Sequence, residues 1–230
     1  MRNALLFLFL ILPVASTART PLPHWLHLEG GVKGYGAGNI WVEPDNCPPT
    51  IGFTETTAGW AAGVGPFVEA RFFKYAALDI ELLFAWDRMI EKDTIGWRKV
   101  KFTAKMFDLK IPILLKGVLP FPGVKLSLGT GPVIEYPLSV KMATNPDVIS
   151  LMDAEEAFSV LWAINLGIDI KLYRGLRLPI DIRASYNISQ PAEYKDRVTL
   201  SLNGNSVTRI TIKYQNTWEL GMLMGLAWEF

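Results

Sequence analysis

The sequence predicts an all-β chain folded as an eight-stranded antiparallel up-and-down transmembrane β-barrel. Three observations carry that reading. Apolar and polar residues alternate along successive segments of the chain, the connections between segments alternate between short and long, and aromatic residues gather near both ends of the segments. Half of the 230 residues are hydrophobic and mean hydropathy is +0.22. Beyond the N-terminal segment no apolar run approaches the roughly 20 residues a spanning helix needs. The hydrophobicity is therefore spread with the two-residue period of strands.

The N-terminus reads as an export signal over residues 1–18, leaving 19–230 as one barrel domain. Met1-Arg2-Asn3 is a short positive start, Leu5 to Leu12 is an unbroken apolar run ended by Pro13, and Ser16-Thr17-Ala18 offers small residues for cleavage. The run is too short for a transmembrane helix, and no cysteine follows it to carry a lipid anchor. The one cysteine, Cys47, excludes an internal disulfide framework and fits an oxidising compartment. A net charge of +1 gives no electrostatic case for nucleic acid or an acidic partner.

Eight segments follow. Trp25 to Tyr35 is Gly-rich, with Leu26, Leu28 and Val32 against Glu29 and Lys33. Trp60 to Phe73 sets Val64, Val68 and Phe72 against Gly63, Gly65, Glu69 and Arg71. Ala76 to Asp87 sets Leu78, Ile80, Leu82, Phe84 and Trp86 against Asp79, Glu81, Ala85 and Asp87. Lys99 to Lys116 changes phase near Met106-Phe107, where a β-bulge is expected. Val124 to Leu138, Phe158 to Tyr173, Arg177 to Ile188 and Trp218 to Phe230 alternate more cleanly. The connections at 74–75, 119–123 and 174–176 are short, and those across 37–58, 88–97, 139–157 and 189–216 are long. This asymmetry puts both chain ends at the periplasmic side. Pro66, Pro112, Pro132 and Pro179 fall inside the segments, and each removes a ladder donor. They are expected to mark bulges or rims.

The sign of the alternation separates two kinds of barrel. A soluble lipocalin-like binder turns its apolar face inward and its charges out. Here one face is almost free of charge. The other carries Glu29, Lys33, Glu69, Arg71, Asp79, Glu81, Asp108, Lys110, Lys116, Lys125, Glu135, Asp169, Lys171, Asp181, Arg183 and Glu219. Unpaired, such a set cannot form a core. In a narrow lumen the two signs can pair, which assigns the apolar face to lipid. The aromatics form two girdles on this reading. Trp60, Trp86, Trp97, Tyr136, Trp162, Tyr186 and Trp218 lie near the long-loop ends, and Trp25, Tyr75, Tyr173, Trp228 and Phe230 near the short-turn ends.

The run Phe107-Asp-Leu-Lys-Ile-Pro-Ile-Leu-Leu-Lys-Gly117 resembles a motif of the bacterial outer-membrane β-barrel domain family, the porin-family barrels related in shape to OmpX and the OmpA barrel. Leu128 to Tyr136 and Leu166 to Ile170 are similar to later strands of that family. The resemblance covers essentially the whole mature chain and implies an outer-membrane location; members differ in function. Gly225, Trp228 and Phe230 resemble the C-terminal signal read by the barrel-assembly machinery, with Leu223 departing from the polar residue usual there.

No chemistry is expected. His24 and His27 are the only histidines, and both fall at the periplasmic start of the first segment, away from the outer rim where barrel hydrolases work. No cofactor and no metal site is expected. Asp153, Glu155 and Glu156 fit a short loop helix after Asn145-Pro146-Asp147. With about eight strands, side chains fill the interior. The favoured reading is a structural or interaction barrel, plugged by ion pairs, that presents loops 37–58, 139–157 and 189–216 to an extracellular or envelope partner. The rivals are a narrow solute channel and a soluble periplasmic binder of apolar ligands.

Overall fold

The computed structural model describes residues 23–42, 56–95, 98–144, 148–152, 158–189, 192–196, 200–202, 205–207 and 210–230. The export segment, Cys47, Trp97 and the acids Asp153, Glu155 and Glu156 lie outside them. The chain forms β1 (Leu26–Val42), β2 (Thr56–Phe72), β3 (Ala76–Glu81), β4 (Leu83–Ile95), β5 (Arg98–Phe121), β6 (Val124–Thr144), β7 (Val148–Met152), β8 (Ser159–Tyr173), β9 (Leu176–Asn187), β10 (Ala192–Asp196), β11 (Leu200–Leu202), β12 (Asn205–Val207) and β13 (Ile210–Glu229). With β3 and β4 forming one stave, eight staves pair antiparallel in chain order, and β13 pairs with β1 to close the barrel. No helix of the described residues is long and apolar enough to cross a membrane.

The stagger of the barrel follows from the register. From Gly30 the ladder leads to Val68, Ile80 and Ile113, crosses to Pro132, and continues through Trp162, Tyr186 and Trp218 to Ile40. One circuit therefore climbs about ten residues along β1, which for eight strands corresponds to a tilt of about 40°. The outward run from Trp162 to Leu172, at about 3.3 Å per residue and that tilt, rises about 25 Å, the height of a lipid-facing band.

The short turns are tight. Phe72 to Tyr75 closes with Tyr75 N–H donating to Phe72 O, with Phe73 and Lys74 at φ 50° and 72°. Two positive φ angles mark a primed hairpin turn. Pro122-Gly123, with Gly123 at φ 80°, joins β5 to β6, a pairing that suits a type II turn.

Faces divide as the alternation predicts. Ile164, Ile168, Ile182 and Met222 are exposed on the outside, whereas Asp79, Lys33 and Arg183 are buried inside. That is the reverse of a ligand-holding soluble barrel.

Four expectations need correction. First, Pro66, Pro112, Pro132 and Pro179 lie opposite Val32, Val133, Trp162 and Asp169 in unshifted register, at neither bulges nor rims. They interrupt pairing without moving it. Pro66 and Pro112 flank the break at Leu82, and Leu82 N–H donates to Pro66 O. Second, the register does shift between Phe107 and Asp108, but the extra residue is Leu138 on β6. On β5, Met106, Asp108 and Lys110 all point inward, and Lys105 is exposed. The change of pattern records passage beyond the Trp86 level, where an outward lysine meets water. Third, the strands run on into the long connections, and 88–95 is strand paired to β5. Fourth, residues 148–152 form a strand on β6, where a loop helix was expected.

Candidate functional site

The lumen is the one place where the described polar side chains converge. Alternation points every second residue inward, and the stagger brings inward residues of different staves to three common levels.

Nearest the short turns, Glu29, Glu69, Asp169 and Glu229 meet Arg71, Lys125 and Arg177. Lys125 Nζ donates to Glu29 Oε2 at 2.9 Å, Arg71 reaches Glu29 at 3.2 Å and Glu69 at 3.3 Å, and Arg177 Nε donates to Asp169 at 2.6 Å. At mid-height, Lys33 Nζ lies 3.1 Å from Asp79, 2.6 Å from Glu81 and 3.0 Å from Asp181. Lys116 bonds Asp79 and Glu69. Arg183 holds Glu81 with two bonds of 2.8 and 2.9 Å and donates to Asn165. Nearest the long loops, Lys110 bonds Glu219 and lies 3.2 Å from Asp87 and 3.1 Å from Glu135, with Tyr35 and Asp108 alongside.

One bond at each level crosses the whole lumen. Lys125 and Glu29 stand on the fifth and first staves, Arg183 and Glu81 on the seventh and third, and Lys110 and Glu219 on the fourth and eighth. Each pair thus joins diametrically opposite walls. The ammonium and guanidinium stems have to lie across the axis, and that leaves little free section in a barrel of eight strands. A cavity of about 20 Å³ between the lower levels, lined by Glu29, Lys33, Glu69, Lys116, Lys125 and Asp181 among others, is large enough for a single water.

Small residues make room for these stems. A Cβ at Gly225 would lie 2.3 Å from Val32 O and 2.9 Å from Lys33 Cγ, so Gly225 lets β13 approach β1 where the lysine folds inward.

The residues expected in the lumen are therefore placed as follows. Glu29, Lys33, Glu69, Arg71, Asp79, Glu81, Lys125, Glu135, Asp169, Asp181, Arg183 and Glu219 enter the network. Lys171 does not: it is exposed next to the register shift that precedes Tyr173. Asp108, Lys110 and Lys116, of the same charged face, enter the network too. Arg177, Glu229 and Asp87 also take part. These three have the parity of the charged face, so alternation alone identifies them.

The girdle residues Trp25, Trp60, Tyr75, Trp86, Tyr136, Trp162, Tyr173, Tyr186, Trp218, Trp228 and Phe230 are all on the outer surface. Tyr186 and Trp218 touch with ring centroids 4.8 Å apart. Trp162 Nε1–H donates to Thr130 at 2.9 Å, so a ring at the outer boundary keeps its polar atom bonded. His24 is exposed and His27 half-buried, both at the short-turn end.

No family model matches the chain, and no curated protein does. Among solved structures, the chain is similar to the outer membrane protein OprG from Pseudomonas aeruginosa, at 12% identity and a TM-score of 0.53, over 89% of this chain and 95% of that one. It also aligns with a major outer membrane protein from Thermus thermophilus, at 12% identity and a TM-score of 0.45, over 87% and 99% of the two chains. The first likeness establishes a fold shared with an outer-membrane protein: a closed, eight-stranded antiparallel β-barrel.

Proposed function

We propose that the chain is an integral outer-membrane β-barrel, exported by a cleaved signal peptide, with a plugged lumen and a structural or interaction role rather than an enzymatic one. The support for membrane integration is the exposed apolar band about 25 Å high, bounded by aromatic residues at both edges. A contiguous greasy surface of that extent is foreign to a soluble monomer. The support for a plug is the trio of cross-lumen ion pairs, one per level. Loops 37–58, 139–157 and 189–216 would be the contact surface for an extracellular or envelope partner. At that end β7 and β10 extend β6 and β13. Gly225, Trp228 and Phe230 would be read by the barrel-assembly machinery during insertion.

Two measurements test this. Single-channel recording in planar bilayers is expected to give no steady conductance; a stable nanosiemens-scale pore overturns the plug in favour of a narrow solute channel. Fractionation with a salt and carbonate wash is expected to leave the protein in the outer membrane. Release into the wash overturns membrane integration.

A further inference from the structure

The upper level of the lumen is out of charge balance. Through the middle and lower levels, Asp79, Glu81, Asp181, Glu29, Glu69, Asp169 and Glu229 face Lys33, Lys116, Arg183, Arg71, Lys125 and Arg177, seven acids against six bases. At the upper level Asp87, Asp108, Glu135 and Glu219 gather around Lys110, and among the described side chains its ammonium is the one ion-paired with Asp87, Glu135 and Glu219.

Adjacent staves bring Asp87, Asp108 and Glu135 together, all buried, each with an oxygen within 4.8 Å of the others. A Ca²⁺ ion holds its oxygens at about 2.3–2.6 Å, so three oxygens within 4.8 Å of one another can share one such ion. One observation besides the acids points to a ligand. At the same level Asn39, 2% exposed and paired across the ladder with Glu219, has neither amide atom bonded. Buried polar atoms of this kind normally have partners. Here they lie at the level of the acidic cluster.

We propose that Asp87, Asp108 and Glu135 form a binding site for a divalent cation such as Ca²⁺, reached from the long-loop end of the barrel. The site does not depend on whether the lumen conducts.

The test is calorimetric titration of CaCl₂ into the full chain, refolded in zwitterionic detergent after EDTA treatment. Folding is checked by the shifted gel mobility of the unboiled protein. One Ca²⁺ per chain is expected. Asp108→Asn should weaken binding at least tenfold, and Asp169→Asn, at the other end of the lumen, should leave it unchanged. Lys110→Met should tighten binding, because it removes the competing internal cation; a purely structural role for Lys110 predicts no such gain. Glu135→Gln replaces Asp108→Asn if the latter does not fold. The proposal is overturned if the wild type takes up no Ca²⁺ at about 10 mM, beyond the weakest protein sites, or if Asp108→Asn and Glu135→Gln, once folded, bind as the wild type does.

Discussion

Leu166 is the position at which the direction of the barrel can be measured. It sits in the middle of β8, 58% exposed, paired with Leu128 on one side and Ile182 on the other. If lipid surrounds this face, Leu166→Arg places a guanidinium at the bilayer midplane, at a cost of about 2–4 kcal/mol. That is roughly a 30- to 900-fold loss in the folding equilibrium. If water surrounds it, the same change on an exposed strand stays within about 0.5 kcal/mol. Leu172, 50% exposed on the same strand near the short-turn edge, supplies the depth control. There an arginine reaches the headgroups, and the cost should fall to about 0–1 kcal/mol. The assay is reversible urea unfolding in short-chain phosphatidylcholine vesicles, followed by tryptophan emission. Equal costs at the two positions, both within about 0.5 kcal/mol, would refute the lipid-facing assignment and with it the membrane reading.

Three further outcomes follow from named contacts. A double-mutant cycle on Arg183 and Glu81, bonded twice across the lumen, should return a coupling of roughly 2–3 kcal/mol in the same unfolding assay; additive effects would mean that the pair is not formed. Lys74→Gly should stabilise by roughly 0.5–1 kcal/mol, since Lys74 holds φ 72° in the β2–β3 turn and glycine adopts that angle without strain; a loss of stability would contradict the turn geometry. Gly225→Ala should destabilise the purified barrel by roughly 1–3 kcal/mol, because its Cβ would meet the Val32 carbonyl. A variant that refolds with full stability in vitro yet fails to insert in cells would assign Gly225 to assembly alone.

The fold was legible because a strand's side-chain period is two and the membrane holds that period over long stretches. In Phe158 to Tyr173 the alternation alone puts Ile164, Leu166 and Ile168 outside and Asn165 and Gly167 inside, as found. The alternation misleads where the surroundings change. Lys105 faces outward and Met106 inward at the upper edge of β5. Polarity follows the solvent there, and the inversion looked like a bulge in β5. The prolines misled for a different reason. A missing N–H costs one bond, but in a closed barrel the neighbouring staves hold the register on both sides. Pro112 therefore interrupts a ladder without shifting it. The three-level lumen could not be read at all, because levels depend on stagger, which appears only once the eighth stave has met the first.

That dependence gives the ion pairs a role beyond filling space. Alternation allows any register that differs by two residues, since such a slip keeps every apolar side chain in lipid. A slip of β13 by two residues against β1 would leave the outer surface apolar, yet it would carry Glu219 away from Lys110 and set Gly221 or Thr217 in its place. The same holds for β9, where Arg183 would lose Glu81. Each cross-lumen pair joins staves that share no ladder, so no single hairpin can test it; only the closed barrel can. A buried carboxylate that loses its partner costs about 3–5 kcal/mol, which makes each such slip unfavourable. The greasy face commits the chain to being a barrel in lipid, and the charged interior selects which of the permitted barrels it becomes.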